Sequence, residues 1–465
     1  MNKPILVLQM QRMGDLILSF PLFLWLEREF PGREIWVLAE KAFSKPLMPI
    51  SPKVTYFPWE GTQFLLKHEF ELVLNLSIRE EAALLAGQVR AGAKFGPVQD
   101  GAGRYVRGAW QLYRASLVRN NRFNRFHWAD LNALDVIPLT RMAKTVYSPP
   151  RTLTEDKPQV GLFLGASDPA KRPAAAFWAQ LCAELVERSI RPALFGGPAE
   201  KELGAEVVRL FGRPVANFCG SFGLDQLTRA MHTLALFVSP DTGPMHLAAW
   251  TACHTLNLSM GNVNPWETGP FTPGHAVLRA DISCAPGCWE CTRDQLYCHF
   301  PFDPPAIAAL ITRIAKSPQG DTPTTPPPGL TLATTDRTDQ GVFHLHMKGT
   351  EKQDEHGLIA AFWHAFFGWR LKLWGEDQAV DAARTLAARA PEAASSLAAP
   401  LPGLFRDLKA GLTRGRSPEL WERSPEIIRP LTGWAELHLR NEDASPEAFK
   451  TLLESLEALR SVTAD

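Results

Sequence analysis

The chain has 465 residues, 45% of them hydrophobic, and equal numbers of basic and acidic residues, 49 Lys+Arg against 49 Asp+Glu. That length suits two or three domains better than one. A formal net charge of zero excludes a global field favouring nucleic acid or an anionic membrane, so any charge preference must be local.

Residues 5–10, Ile-Leu-Val-Leu-Gln-Met, read as a buried strand, 11–14 as a turn, and Asp15 as the opening of an apolar helix. The run 16–26 is too short to span a bilayer and contains Pro21, so it is expected to be a core helix. No basic segment with a cleavage site precedes it, which points to the cytoplasm. Further strands are expected at 34–39, 54–57 and 71–76, separated by helices, the pattern of a parallel sheet covered on both faces. An aspartate at a helix start is commonly a cap, and in a closed cleft it can also act as a general base.

Between 101 and 127, Arg104, Arg107, Arg114, Arg119, Arg122 and Arg125 alternate with Tyr105, Trp110, Tyr113, Phe123 and Phe126. Guanidinium forks grip carboxylate or phosphate and aromatic faces cover sugar rings, which makes Arg104, Arg107 and Arg119 candidate contacts for an anionic glycan acceptor. A solvated helical face explains the same pattern. The stretch 148–158 has the composition of a linker, so the first domain is taken as 1–150.

A second domain, 151–317, repeats the alternation, with strands at 159–164, 192–195, 214–218, 234–238 and 254–258 and helices such as 174–187. Its first strand runs into Gly165-Ala-Ser-Asp-Pro-Ala-Lys-Arg172, which puts Ser167, Lys171 and Arg172 at a strand-to-helix corner. Another corner holds Asp241, Thr242, Gly243, Pro244, Met245 and His246; either Thr242 or Gly243 is the N-cap, and Pro244 suits a first helical turn. Small residues there let an anion reach the N–H groups of the helix start, and a nearby lysine or arginine would neutralise a departing diphosphate. Two doubly wound halves would face each other across a cleft at the carboxyl ends of their strands. Neither a Gly-x-x-x-x-Gly-Lys-Ser/Thr nor a Gly-x-Gly-x-x-Gly motif occurs, so kinase-type and NAD-dependent readings lose their main support.

Four of the seven cysteines, Cys284, Cys288, Cys291 and Cys298, crowd into one segment with Pro286 and Gly287 as turn residues. Reduced cytosolic thiols make a metal cluster more plausible than two disulfides. Zinc or iron would both fit, in a structural role, because four protein ligands leave no open position. A closing helix at 305–317 and a proline-rich linker at 318–329 follow. The remainder, 330–465, reads as a small hairpin (330–334 and 342–347) plus alanine-rich helices anchored by Trp363, Trp369, Trp374, Trp421 and Trp434, an accessory or homo-oligomerisation module.

Together these residues resemble the ADP-heptose:lipopolysaccharide heptosyltransferases of glycosyltransferase family 9. Gln11-Arg-Met-Gly-Asp15 is similar to the family's opening motif, Lys171-Arg172 to its phosphate loop, and Asp241-Thr-Gly-Pro-Met-His-Leu-Ala-Ala249 to its nucleotide-site signature. Trp266-Glu-Thr-Gly-Pro-Phe-Thr-Pro-Gly274 is similar to the segment after the next strand. The resemblance covers the first 316 residues and implies an α/β, GT-B architecture of two Rossmann-like domains, followed here by a mainly helical module that lies outside the common pattern. It implies an inverting transferase that moves heptose from ADP-heptose to a hydroxyl of a lipopolysaccharide core or related envelope glycan, without a catalytic cofactor, at the cytoplasmic face of the inner membrane. Asp15 would be the base and Lys171 the diphosphate contact, with Ser167, Arg172, Asp241, Thr242, Gly243, Pro244, Met245 and His246 around the donor. Cysteine-rich segments at this place, and the iron of the related autotransporter heptosyltransferases, favour the metal reading without naming the metal. Ala174-Ala-Ala176 stands where the family usually has tryptophan and proline. The alternatives are transfer to a protein acceptor and a nucleotide-sugar-binding scaffold without turnover.

Overall fold

The computed structural model describes residues 2–463 apart from 154, 286, 318–321 and 350–353, so Pro286 and the first part of the proline-rich linker lie outside the described residues. Among those described, the strands form two sheets. The first contains β1 (Ile5–Gln9), β2 (Ile35–Ala39), β3 (Thr55–Phe57), β4 (Glu69–Asn75), β5 (Arg90–Asp100) and β6 (Gly103–Arg107), in the order β3-β2-β1-β4-β5-β6. All neighbours are parallel except β5 and β6. Every residue of β1 is buried, as a central parallel strand covered on both faces must be. Its Ile5 and Val7 pack with Phe20, Phe23 and Leu26, whereas Leu6 and Leu8 join Trp36, Leu38 and Phe70 on the opposite side.

The second sheet holds β7 (Gln159–Phe163), β8 (Arg191–Phe195), β9 (Ala216–Asn217), β10 (Leu236–Pro240), β11 (Thr255–Leu258), β12 (Ala276–Ala280), β13 (Leu330–Arg337) and β14 (Phe343–Lys348). Its order is β14-β13-β12-β11-β10-β7-β8-β9. The architecture is therefore α/β with two halves, but both sheets are mixed: β6, β13 and β14 run antiparallel to their neighbours.

Beyond β5 and β12, strands the sequence reading did not expect, three details differ from the sequence-based expectation. The start of the basic stretch is strand, since β6 turns back on β5 through Gln99↔Arg104 and Gly96↔Arg107. The strand expected at 214–218 shortens to Ala216–Asn217, because the Asn217 side chain accepts from Cys219 N at 3.0 Å and turns the chain away. The hairpin expected in the third module instead extends the second sheet, pairing β13 with β12 through Leu278↔Leu332. Leu332 and Ala333 are buried there, so the sheet gives the hairpin an apolar partner.

The helices beyond 354 pack back onto the first half. Asn441 exchanges hydrogen bonds with Val106, receiving its N–H at 2.6 Å and donating to its carbonyl at 3.1 Å. Asn120 donates to Arg429 O at 3.0 Å, and the rings of Tyr113 and Phe367 lie 4.7 Å apart. Trp363 and Trp434 are buried as expected of packing anchors, and Trp369, Trp374 and Trp421 are half-buried.

Candidate active site

The order of each sheet reverses direction once, and such reversals open a crevice at the carboxyl ends of the strands. In the first sheet the reversal lies between β1 and β4, and in the second between β10 and β7. β1, β7 and β10 are the strands whose following loops carry Asp15, Lys171 and Asp241. The topology thus explains why these three loops, far apart in sequence, meet.

They meet through two helix starts. The helix Met13–Ile17 follows β1, and its capping box closes with Asp15 Oδ2 accepting from Arg12 N at 3.2 Å. The helix Gly243–Trp250 follows β10, with Thr242 as N-cap and proline in its first turn. A side chain on Gly14 would stand 3.3 Å from His246 Cδ2 and 3.5 Å from Gly243 Cα, so only glycine lets the two turns touch without displacement. Arg12 also crosses between the halves, donating to Ser167 Oγ at 3.1 Å.

Charges gather around this contact without closing on one another. Lys171 Nζ lies 3.9 Å from Asp241 Oδ2, and His246 Nε2 lies 3.8 Å from Asp241 Oδ1. Asp241 is held instead by Thr268, whose hydroxyl donates at 2.7 Å. His246 is buried with Nδ1 unpartnered. Burial lowers its pKa, while Asp241 and Asp15 act the other way. Arg114 feels Asp15 as well; burial pulls its guanidinium down to about 10 and the Asp15 charge opposes that shift.

Beside these groups opens a cavity of about 370 Å³. Ser167, Arg172, Thr242 and Pro244 line it, together with Met13 from the first half. Its walls also include Phe163, Phe195 and Phe222, the Gly196–Gly197 pair after β8, and Glu200. Glu200 Oε2 accepts from Gly197 N at 2.8 Å. Sequence reasoning missed Gly196–Gly197, Glu200 and Phe222. Two glycines directly after a buried strand were the available signal, since they let a ligand approach the backbone.

The site residues read from the sequence divide into groups. Asp15, Lys171, Ser167, Arg172 and 241–246 come together at the cleft, although Met245 is fully buried behind it. Arg104 and Arg107 do not join them: both are exposed on the outermost strand β6, three strands from β1, where Arg107 covers the ring of Tyr105. Arg119 is exposed and pairs with Glu290 at 3.3 Å. Cys284, Cys288, Cys291 and Cys298 are free thiols lining one cavity of about 210 Å³. Among the described residues, no group of three or more His, Cys, Asp or Glu side chains is assembled to hold a metal ion.

A second set of buried polar groups joins the halves nearby. Glu267 accepts from Asn121 Nδ2 at 2.7 Å and from Asn124 Nδ2 at 2.9 Å. Asn264 Nδ2 donates to the carbonyls of Asn121 and Asn124 at 3.1 and 3.0 Å, and His127 Nε2 donates to Gly269 O at 3.0 Å. Burial raises Glu267 to about 7, against the lowering effect of Asn121, Asn124 and Trp128. Arg337 on β13 adds an ion pair to Asp130 at 3.2 Å, both side chains being buried.

Comparison with known proteins places this geometry in a family context. The profile described as Glycosyltransferase family 9 (heptosyltransferase) matches residues 60–297, just over half of the chain. Lipooligosaccharide heptosyltransferase 2 of Haemophilus ducreyi is 25% identical over 310 residues, covering 59% of this chain and 88% of that protein. Among solved structures, ADP-heptose lps heptosyltransferase II of E. coli is 20% identical, with a TM-score of 0.46, covering 60% of this chain and 91% of that one. The glycosyltransferase family 9 structure from Veillonella parvula also has 20% identity and a TM-score of 0.46, covering 58% and 83% respectively.

Proposed function

The chain belongs to glycosyltransferase family 9, and from that premise we propose that it transfers heptose from ADP-heptose to a hydroxyl of a lipopolysaccharide core or related envelope glycan, with inversion at the anomeric carbon. The observation that carries this reading is the contact of the two helix starts, which brings Asp15 from one half near His246 of the other, itself 3.8 Å from Asp241 Oδ1. In a single displacement the acceptor oxygen forms its bond to the anomeric carbon as the bond from that carbon to the diphosphate oxygen breaks. Asp15 takes the hydroxyl proton and the electron pair leaves with ADP.

The cavity beside these groups suits the nucleoside: aromatic walls for the base and a carboxylate, Glu200, for ribose hydroxyls. Lys171 and the start of the helix Gly243–Trp250 would stabilise the leaving diphosphate, since a fixed cation and oriented N–H groups act where charge develops. Arg119, exposed and paired with Glu290, is the candidate from the basic stretch for a diffuse attraction of an anionic acceptor. Among the described residues no helix is long and apolar enough to cross a membrane. Work at the cytoplasmic membrane surface would then rest on peripheral association.

The four cysteines are a donor set that zinc or iron takes, and all face one cavity. A bound ion would brace the 284–298 loop, and no step of the transfer passes through it. Elemental analysis of the purified protein, at one ion per chain or none, decides that point.

Calorimetry with ADP-heptose against UDP- and GDP-sugars tests the donor assignment. Selective binding of ADP-heptose, weakened roughly ten- to a hundredfold in Lys171→Ala as expected for a lost charge-assisted contact, is the expected result. Preference for another nucleotide would overturn it.

A further inference from the structure

The loop that carries the cysteines is built against the back of the loop that carries Lys171. Lys171 ends the short turn Pro169–Lys171, which Asp168 caps by accepting from Ala170 N at 2.9 Å. The carbonyl of Ala170 lies 2.8 Å from His299 Nε2. A carbonyl oxygen can only accept, so the imidazole carries its proton on Nε2 and donates it. His299 is half-buried and closes the turn Tyr297–His299, directly after Cys298.

A third segment fills the space between them. Gly261 has φ +74°, and a side chain there would stand 2.3 Å from Ala170 O and 3.2 Å from Lys171 N. Its neighbour Asn262 donates to Trp289 O at 3.0 Å, and Cys288 Sγ lies 3.9 Å from Gly261 O. Lys171 therefore rests on three layers: its own turn, the turn at 260–262, and the 284–299 loop. His299 does not line the nucleoside cavity, and its contact toward the donor side is the one with Ala170 O.

We propose that His299 is a positioning residue for the donor diphosphate, fixing through Ala170 the backbone from which Lys171 reaches the cleft and thereby linking donor affinity to the order of the cysteine loop. The proposal rests on the assignment of Lys171 to the diphosphate. A lysine is a point charge on a flexible stem, so the place where its backbone is held decides how much freedom it loses on meeting a phosphate. Coupling of this kind is reciprocal: if the loop supports the donor site, a bound nucleotide must in turn stabilise the loop.

The test is ADP binding by calorimetry to wild type, His299→Ala and His299→Gln, with thermal unfolding of each and hydrogen exchange of 284–299 with and without ADP. His299→Ala should bind ADP roughly five- to tenfold more weakly, the equivalent of one net hydrogen bond, with the acceptor KM unchanged. His299→Gln, which keeps an N–H donor, should recover most of the affinity. ADP should slow exchange in 284–299 of the wild type. A His299→Ala protein that melts like the wild type and binds ADP equally well would overturn the proposal. If that variant does not fold, absence of ADP-dependent protection in the wild-type loop overturns it instead. A wild type that binds no ADP removes the donor assignment and this proposal with it, an outcome distinct from both.

Discussion

Two of the places where the halves meet have opposite character. Where the helix starts touch, Lys171 and His246 stand 3.9 and 3.8 Å from Asp241, too far for hydrogen bonds, and His246 Nδ1 has no partner. Where the segment 121–127 meets 264–269, asparagines, a glutamate and a histidine are joined at 2.7–3.1 Å. One junction leaves its charges available to a ligand and the other uses its polar groups on itself. On the proposed reading, function and cohesion are divided along a single interface.

Removing the acceptor-side carboxylate should strike the open junction hardest. Asp15→Asn should lower the rate of transfer by about a hundredfold to ten-thousandfold, the range of general-base catalysis, with ADP affinity unchanged. Transfer at the wild-type rate would mean that the carboxylate only caps its helix.

The closed junction should respond in stability rather than in rate. Glu267→Ala leaves two buried amides without an acceptor and should cost roughly 3 kcal/mol in urea unfolding. Its carboxyl titrates at about 7 in the folded protein against an ordinary 4.5. The folded state therefore holds a proton that the unfolded state has released throughout that window. Stability should fall as pH rises from 4.5 to 7 and level off above it. Glu267→Gln cannot ionise, and its unfolding free energy should lose that component of the slope.

The smallest effect is expected at the surface. Arg119 and Glu290 are both mostly exposed, so Arg119→Ala should leave the melting temperature unchanged. A rise in acceptor KM without a change in ADP affinity would extend the open junction to this residue; no change in either would confine Arg119 to solvent.

The open junction was more legible in the sequence than the closed one. Around Asp15 and Asp241, a buried run ends in small residues and a helix start, and each of these is a local signal. Glu267 and its partners Asn121 and Asn124 are 146 and 143 residues apart, and none is unusual in its own segment. Their meaning comes entirely from being brought together. β5 escaped notice because Gly92, Gly96 and Pro97 interrupt it, and such residues usually argue against a strand. The hairpin at 330–348 was visible as two strands, but its place depended on the free edge of β12, which no local pattern announces.

The chain passes between the halves more than once. It crosses from the helix Leu139–Ala143 to β7, and it returns from β14 to the helix Glu355–Arg370, which packs on the first half through Arg125 and Gly357. Chain connectivity therefore holds the two halves together independently of the side-chain contacts between them, and the helix starts that carry Asp15 and Asp241 belong to bodies that cannot drift apart.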